Sequence, residues 1–134
     1  MDVARILEPP TSSFLLLGAR GTGKSTWLRH HYPSAAWFDL LDDARYFALL
    51  REPESFSEEL RAYAPGQWVC VDEIQRLPQL LNTVHRFDET GGLKFALTCS
   101  SARKLRRAGV NLLAGRLLSK TMFPFVPEEL GSDF

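Results

Sequence analysis

The chain has 134 residues, 45% of them hydrophobic, and its 16 Lys and Arg are balanced by 16 Asp and Glu. That length suits one domain around one core, able to bury about two-thirds of the surface its unfolded chain would expose. Zero net charge provides no whole-molecule positive field, which argues against nucleic acid as a partner of this core, and apolar runs such as Phe14–Leu17 fall far short of the roughly 20 residues that cross a bilayer.

The start, Met1-Asp2-Val3-Ala4-Arg5, lacks the basic stretch and apolar segment of a secretory leader, so a cytoplasmic location is expected. Cys70 and Cys99 have neither the number nor the spacing of a zinc site or a disulfide framework, and read as reduced, small apolar residues.

In chain order, Phe14-Leu15-Leu16-Leu17 is a short continuous apolar run ending at Gly18, the pattern of a parallel strand covered on both faces. After a Gly-rich loop, Gly23 to His31 predicts a helix that stops ahead of Pro33. Ala35–Asp39 predicts a second strand. Ala44, Phe47 and Ala48 recur at helical spacing, and Ser55 with Glu58 has the form of a capping box for a further short helix. Gln67–Asp72 predicts a third strand that carries two consecutive acids, Asp72 and Glu73, to its C-terminal edge, where ligands of such sheets sit. Leu77, Leu80, Leu81, Val84 and Phe87 form a helical core stripe. Lys94–Thr98 predicts a fourth strand and Leu117–Phe123 a fifth. Strands alternating with helical segments predict an α/β domain with a mostly parallel sheet.

Gly18-Ala19-Arg20-Gly21-Thr22-Gly23-Lys24-Ser25 fits Gly-x-x-x-x-Gly-Lys-Ser/Thr at every fixed position. Such a loop needs a backbone that turns its N–H groups toward an anion without Cβ clashes, and the glycines permit this. The helix that follows adds its positive end. In this reading Lys24 reaches the β- and γ-phosphates of ATP, the Ser25 hydroxyl holds Mg²⁺, and Thr26 contacts the α-phosphate. An ordinary glycine turn is the bland alternative, disfavoured because the pattern falls between an apolar strand and a helix.

Asp72 ends an apolar strand 48 positions after Lys24, which leaves room for a helix, a strand and further helices. An aspartate there can hold Mg²⁺ through its water shell, and Glu73 can orient an attacking water. A solvated acidic strand end is the competing reading. Thr98, Ser100 and Ser101 can either touch the γ-phosphate or cap a helix over Ala102–Arg107. Arg103, Lys104, Arg106 and Arg107 read as a solvated helix face. Arg116 is either an arginine that stabilises transition-state charge or a surface ion-pair partner, and His30, His31 and His85 have no ligand spacing.

The chain resembles a bacterial and archaeal family of AAA-type ATPases that join an N-terminal ATPase core to a C-terminal domain of unknown function. The resemblance rests on Leu16–Thr26, on Val71-Asp72-Glu73-Ile74-Gln75-Arg76, on Lys94–Thr98 with Ser100-Ser101-Ala102-Arg103-Lys104-Leu105, and on Leu112-Leu113-Ala114-Gly115-Arg116. It implies a P-loop NTPase three-layer sandwich with a five-stranded sheet in the order 5-1-4-3-2, Thr98 or Ser100 as a sensor, and Arg116 in charge stabilisation. Cys99 stands where the family usually has glycine. The end at Phe134 reads as an ATPase core, residues 1–134, truncated ahead of the C-terminal region.

The expected function is therefore Mg-ATP binding and hydrolysis coupled to conformational change, slow in the isolated core, with self-association through an arginine supplied in trans. Two rivals stand beside it. One is a nucleotide-gated binding module with little turnover; the other is a small-molecule kinase, against which Glu73 argues. No Asn-Lys-x-Asp or Thr-Lys-x-Asp segment favours GTP, and Leu-Ser-Gly-Gly-Gln is absent.

Overall fold

The computed structural model of the chain describes residues 9, 11–18, 23–90, 92–101, 103, 104, 121 and 122. Strands β1 (Phe14–Leu17), β2 (Ala36–Asp39), β3 (Trp68–Asp72), β4 (Lys94–Cys99) and β5 (Thr121–Met122) alternate with helices α1 (Lys24–His31), α2 (Asp43–Arg51), α3 (Glu54–Arg61) and α4 (Leu80–Glu89). A 3-10 turn, Ile74–Arg76, follows β3. All strand pairings are parallel and the sheet runs β2-β3-β4-β1-β5, the expected order read from the opposite edge. Of the strand expected over Leu117–Phe123, the described part is Thr121–Met122. Of the helix expected over Ala102–Arg107, it is Arg103 and Lys104.

Both faces of the sheet are covered, which is why its central strands read as unbroken apolar runs rather than as alternations. The period of two sorts their side chains between two clusters. Phe14, Leu16, Cys70 and Ala96 face α1 and meet Trp27, Leu28 and Tyr32. Leu15, Val69, Val71, Phe95 and Leu97 face the other way, against Leu49, Phe56, Leu60, Leu80, Leu81 and Val84 of α2, α3 and α4. The first cluster is aromatic, with Phe14 and Trp27 edge to face at 6.3 Å and Tyr32 over Trp68 at 4.4 Å between ring centroids.

Several local expectations shift. The residues whose spacing marks α2 as a helix, Ala44, Phe47 and Ala48, lie on its exposed side, and Phe47 is 50% exposed. The helix instead buries Leu49 and packs Tyr46 on the core. Its phase is set by Asp42, whose carboxylate accepts from Ala44 N at 3.2 Å, and by Arg45, which lies 4.2 Å from the Phe38 ring centroid and forks onto Glu59 of α3 at 2.9 and 3.1 Å. Ser55 does not build the expected capping box. The cap position is Pro53, and Ser55, inside the first turn, donates its hydroxyl to the Glu52 carbonyl at 2.8 Å. Leu77, expected in the stripe of α4, instead closes the 3-10 turn, while Leu80, Leu81 and Val84 form the buried face. No helix among the described residues is long and apolar enough to cross a membrane.

Candidate functional site

The parallel sheet brings the C-terminal ends of β1, β3 and β4 side by side, with the start of α1 above them. At the end of β1, Gly18 N donates to the Cys99 carbonyl at 3.1 Å, so the strand ladder holds until the chain leaves for the loop. Ala19, Arg20, Gly21 and Thr22 lie outside the described residues. The chain re-enters at Gly23, whose φ of 91° is a left-handed geometry suited to glycine, and whose carbonyl accepts the first α1 bond, from Trp27 N at 2.9 Å. The first turn of α1 has no acidic residue to offset its positive end, while Arg29, His30 and His31 occupy the last.

Lys24 is buried and its Nζ donates to Gly18 O at 2.6 Å, folding the ammonium back across the loop. Ser25 Oγ donates to Asp72 Oδ2 at 2.9 Å. The other carboxylate oxygen, Oδ1, accepts from Thr98 Oγ1 at 2.5 Å. Thr98 is fully buried and its hydroxyl oxygen also accepts from Glu73 N at 2.8 Å, so one side chain of β4 holds both acids at the end of β3.

Glu73 is the one non-glycine residue with positive φ among those described, at φ 63° and ψ 56°. That backbone region costs a side-chain-bearing residue about 1–3 kcal/mol and persists only where the surroundings over-determine it. The same geometry turns the chain out of β3 into the 3-10 turn. The Glu73 carboxylate is buried, and Oε1 accepts from Gln75 Nε2 at 2.7 Å, Ser100 Oγ at 2.7 Å and Ser100 N at 3.2 Å. Burial alone would raise its pKa; the bonds from Gln75 and Ser100 and the Lys24 charge outweigh it, and the carboxyl sits below its ordinary value.

Gly23, Lys24, Ser25, Thr26, Leu41, Asp72 and Glu73 line one open cavity of about 350 Å³. A lysine, a hydroxyl and two carboxylates thus meet in one place, although they stand up to 49 positions apart in the chain. Hydroxyl and carboxylate oxygens are hard donors of the kind Mg²⁺ takes, with phosphate oxygens and water completing its shell. Among the described residues no group of three His, Cys, Asp or Glu forms a separate metal site.

Thr98 and Ser100, left as alternatives by the sequence, have different partners: Thr98 binds Asp72 and the Glu73 backbone, Ser100 the Glu73 carboxylate. Cys99 between them is a buried strand residue without positive φ, so its place needs no glycine. Burial pushes the thiols up, that of Cys70 to about 12. Arg116 lies outside the described residues. Two participants carried no sequence signal for a role. Gln75 was one residue of a matching stretch, and Leu41 reaches the cavity only because β2 lies beside β3 with Asp39 in register with Asp72.

Fold and site together define an ATPase-type nucleotide-binding domain with a P-loop core. Residues 11–131 match the family model of the AAA domain, and the chain belongs to that family. Among solved structures it is similar to Caenorhabditis elegans PCH-2, at 14% identity and a TM-score of 0.56 over 92% of this chain and 37% of that one. It is also similar to the Thermotoga maritima RuvB Holliday junction branch migration motor, at 16% identity and TM-score 0.53 over 91% of this chain and 40% of that one. A third similar structure, a Walker-type ATPase of Pyrococcus abyssi, has 17% identity and TM-score 0.51, over 92% of this chain and 52% of that chain. At such identities the likeness is one of fold, and the chain spans about half or less of each of these proteins. A search of curated proteins found no match.

Proposed function

We propose that this domain binds Mg-ATP and hydrolyses it to ADP and phosphate, as the ATPase core of a longer protein in which the cycle drives movement of a C-terminal region. The observation that carries this reading is the meeting of Lys24, Ser25, Asp72 and Glu73 around one cavity at the C-terminal edge of the sheet. Backbone N–H groups of Gly21 to Thr26 cradle the phosphates, and Lys24 exchanges its bond to Gly18 O for the β- and γ-phosphate oxygens. Ser25 and Asp72 hold Mg²⁺, which when bound neutralises phosphate charge. Glu73 accepts a proton from the water that attacks the γ-phosphorus, while the bond to the ADP oxygen breaks.

Phosphoryl transfer depends on positioning and charge neutralisation, and an arginine delivered across an interface is worth about 10³–10⁵ in rate. We assign that part to Arg116 acting on a neighbouring copy, so the isolated core turns over slowly. Phosphate release per site, measured at rising protein concentration for this chain and for a version extended beyond Phe134, tests the assignment. The extended protein should be faster, and Arg116→Ala should remove the gain without changing ATP affinity. A monomeric core that already runs at the extended protein's rate would refute the role of Arg116. Absence of any phosphate release in both would refute hydrolysis.

A further inference from the structure

The left-handed turn at Glu73 and the 3-10 turn after it bring residue 75 back beside residue 73. Gln75 Nε2 donates both to Glu73 Oε1, at 2.7 Å, and to Ser100 Oγ, at 3.1 Å, and Ser100 Oγ in turn donates to the same Glu73 oxygen at 2.7 Å. These bonds form a closed ring in which the amide polarises the hydroxyl that it feeds. Its sense is fixed by chemistry: an ionised carboxylate only accepts, so the amide must present nitrogen to Glu73. Gln75 Oε1 is buried and has no hydrogen-bond partner among the described residues, so the amide's orientation is set by the Glu73–Ser100 side. Together with Ser100 N, all these donors converge on Oε1 of Glu73, and none falls on Oε2.

We propose that Gln75 is a positioning residue for hydrolysis: with Ser100 it clamps Oε1 of Glu73, so that Oε2 is presented to the cavity as the oxygen that takes the proton of the attacking water. The inference rests on the hydrolytic reading above. As the water oxygen bonds to the γ-phosphorus and the bond to the ADP oxygen breaks, the water's proton passes to Oε2, while Oε1 keeps its three donors. A glutamate has three rotatable side-chain bonds, and a base misplaced by about 1 Å can cost on the order of 10²-fold in rate. The clamp removes that freedom before substrate arrives.

Gln75→Met, which keeps side-chain length and removes the amide, tests this beside Glu73→Gln and the double variant. Gln75→Met should lower kcat by about 10–100-fold while leaving the Kd for a fluorescent ATP analogue within about twofold. In the Glu73→Gln background it should lower the residual rate no further, since a residue that acts through Glu73 has nothing left to position. Thermal melts of the nucleotide-free proteins should give midpoint shifts that fail to add, because the two side chains share a bond. Wild-type kcat in Gln75→Met, an equal proportional loss in the Glu73→Gln background, or additive melts would each overturn the clamp. If Gln75→Met does not fold, Ser100→Ala opens the same ring and carries the same kinetic test. Wild-type protein that releases no more phosphate than Glu73→Gln would sink the hydrolytic reading and the clamp with it; active wild type with an equally active Gln75→Met sinks the clamp alone.

Discussion

Two groups of hydroxyls, carboxylates and backbone amides, each buried or half-buried, sit at opposite edges of this sheet. At the N-terminal edge, Ser13 donates to Asp88 Oδ1 at 2.5 Å and accepts from Phe95 N at 2.8 Å, tying the approach to β1, the start of β4 and the end of α4 together. That group is a closed latch in regular backbone. At the C-terminal edge, Ser25, Thr98, Ser100 and Gln75 engage Asp72 and Glu73, and the arrangement opens on a cavity, includes a left-handed glutamate and holds a buried lysine. Buried hydrogen bonding is common to both edges, so it does not mark a functional site by itself. What separates them is buried charge of both signs around open space, with backbone geometry that the packing must enforce.

Substitutions should separate the two edges, with the largest effect at the phosphate loop. Lys24→Ala should abolish tight ATP binding, a loss of about 100-fold or more in a titration with a fluorescent analogue, because it removes the loop's charge to the β- and γ-phosphates. Unchanged affinity in a folded variant would take Gly18–Ser25 out of this role. Glu73→Gln should bind ATP as wild type does and lose turnover by about 10²-fold, since the general-base contribution goes and the binding groups stay. Full activity in that variant would remove Glu73 as the base.

Asp72→Asn should weaken nucleotide binding in Mg²⁺ by about tenfold and much less in EDTA, a difference read by paired titrations. Equal losses with and without metal would speak against a metal role. Ser13→Ala should do the converse, lowering unfolding stability by about 1–3 kcal/mol through the unpaired Phe95 amide while leaving ATP affinity unchanged. A drop in affinity there would dissolve the distinction between the edges.

The smallest effect is in the sheet interior. Cys70 titrates from 9.0 in the unfolded chain to about 12 in the fold, so the folded protein binds more protons between those values and stability falls as pH rises through that window. Below pH 9 the contribution is fully present. Cys70→Ala should flatten the alkaline decline of the melting midpoint, and an unaltered decline would assign it to other groups, such as Tyr32, whose phenol burial also pushes up.

Legibility followed how local each feature is. The strand order and the meeting of Lys24 with Asp72 came with the resemblance and the motif spacing, and the structure agrees with that order. The side of α2 that faces the core was not readable, because Ala44, Phe47 and Ala48 and the true contact Leu49 are all apolar and the phase depends on Asp42 and Arg45. Ser55 had the right neighbour for a capping box and lost to Pro53, which sets the helix start two positions earlier.

By itself the sequence determined the glycines, lysine and hydroxyl of the phosphate loop, the acid pair at a strand end, and an α/β order of elements, since each follows from residue type at short spacing. Tertiary structure decided the rest. Thr98 binds Asp72 and Ser100 binds Glu73 only because β3 and β4 are neighbours, and Gln75 reaches the same carboxylate only because Glu73 adopts a conformation that no propensity favours. Such pairings depend on strand adjacency and on a strained turn held by packing, and neither is written in the residues between them.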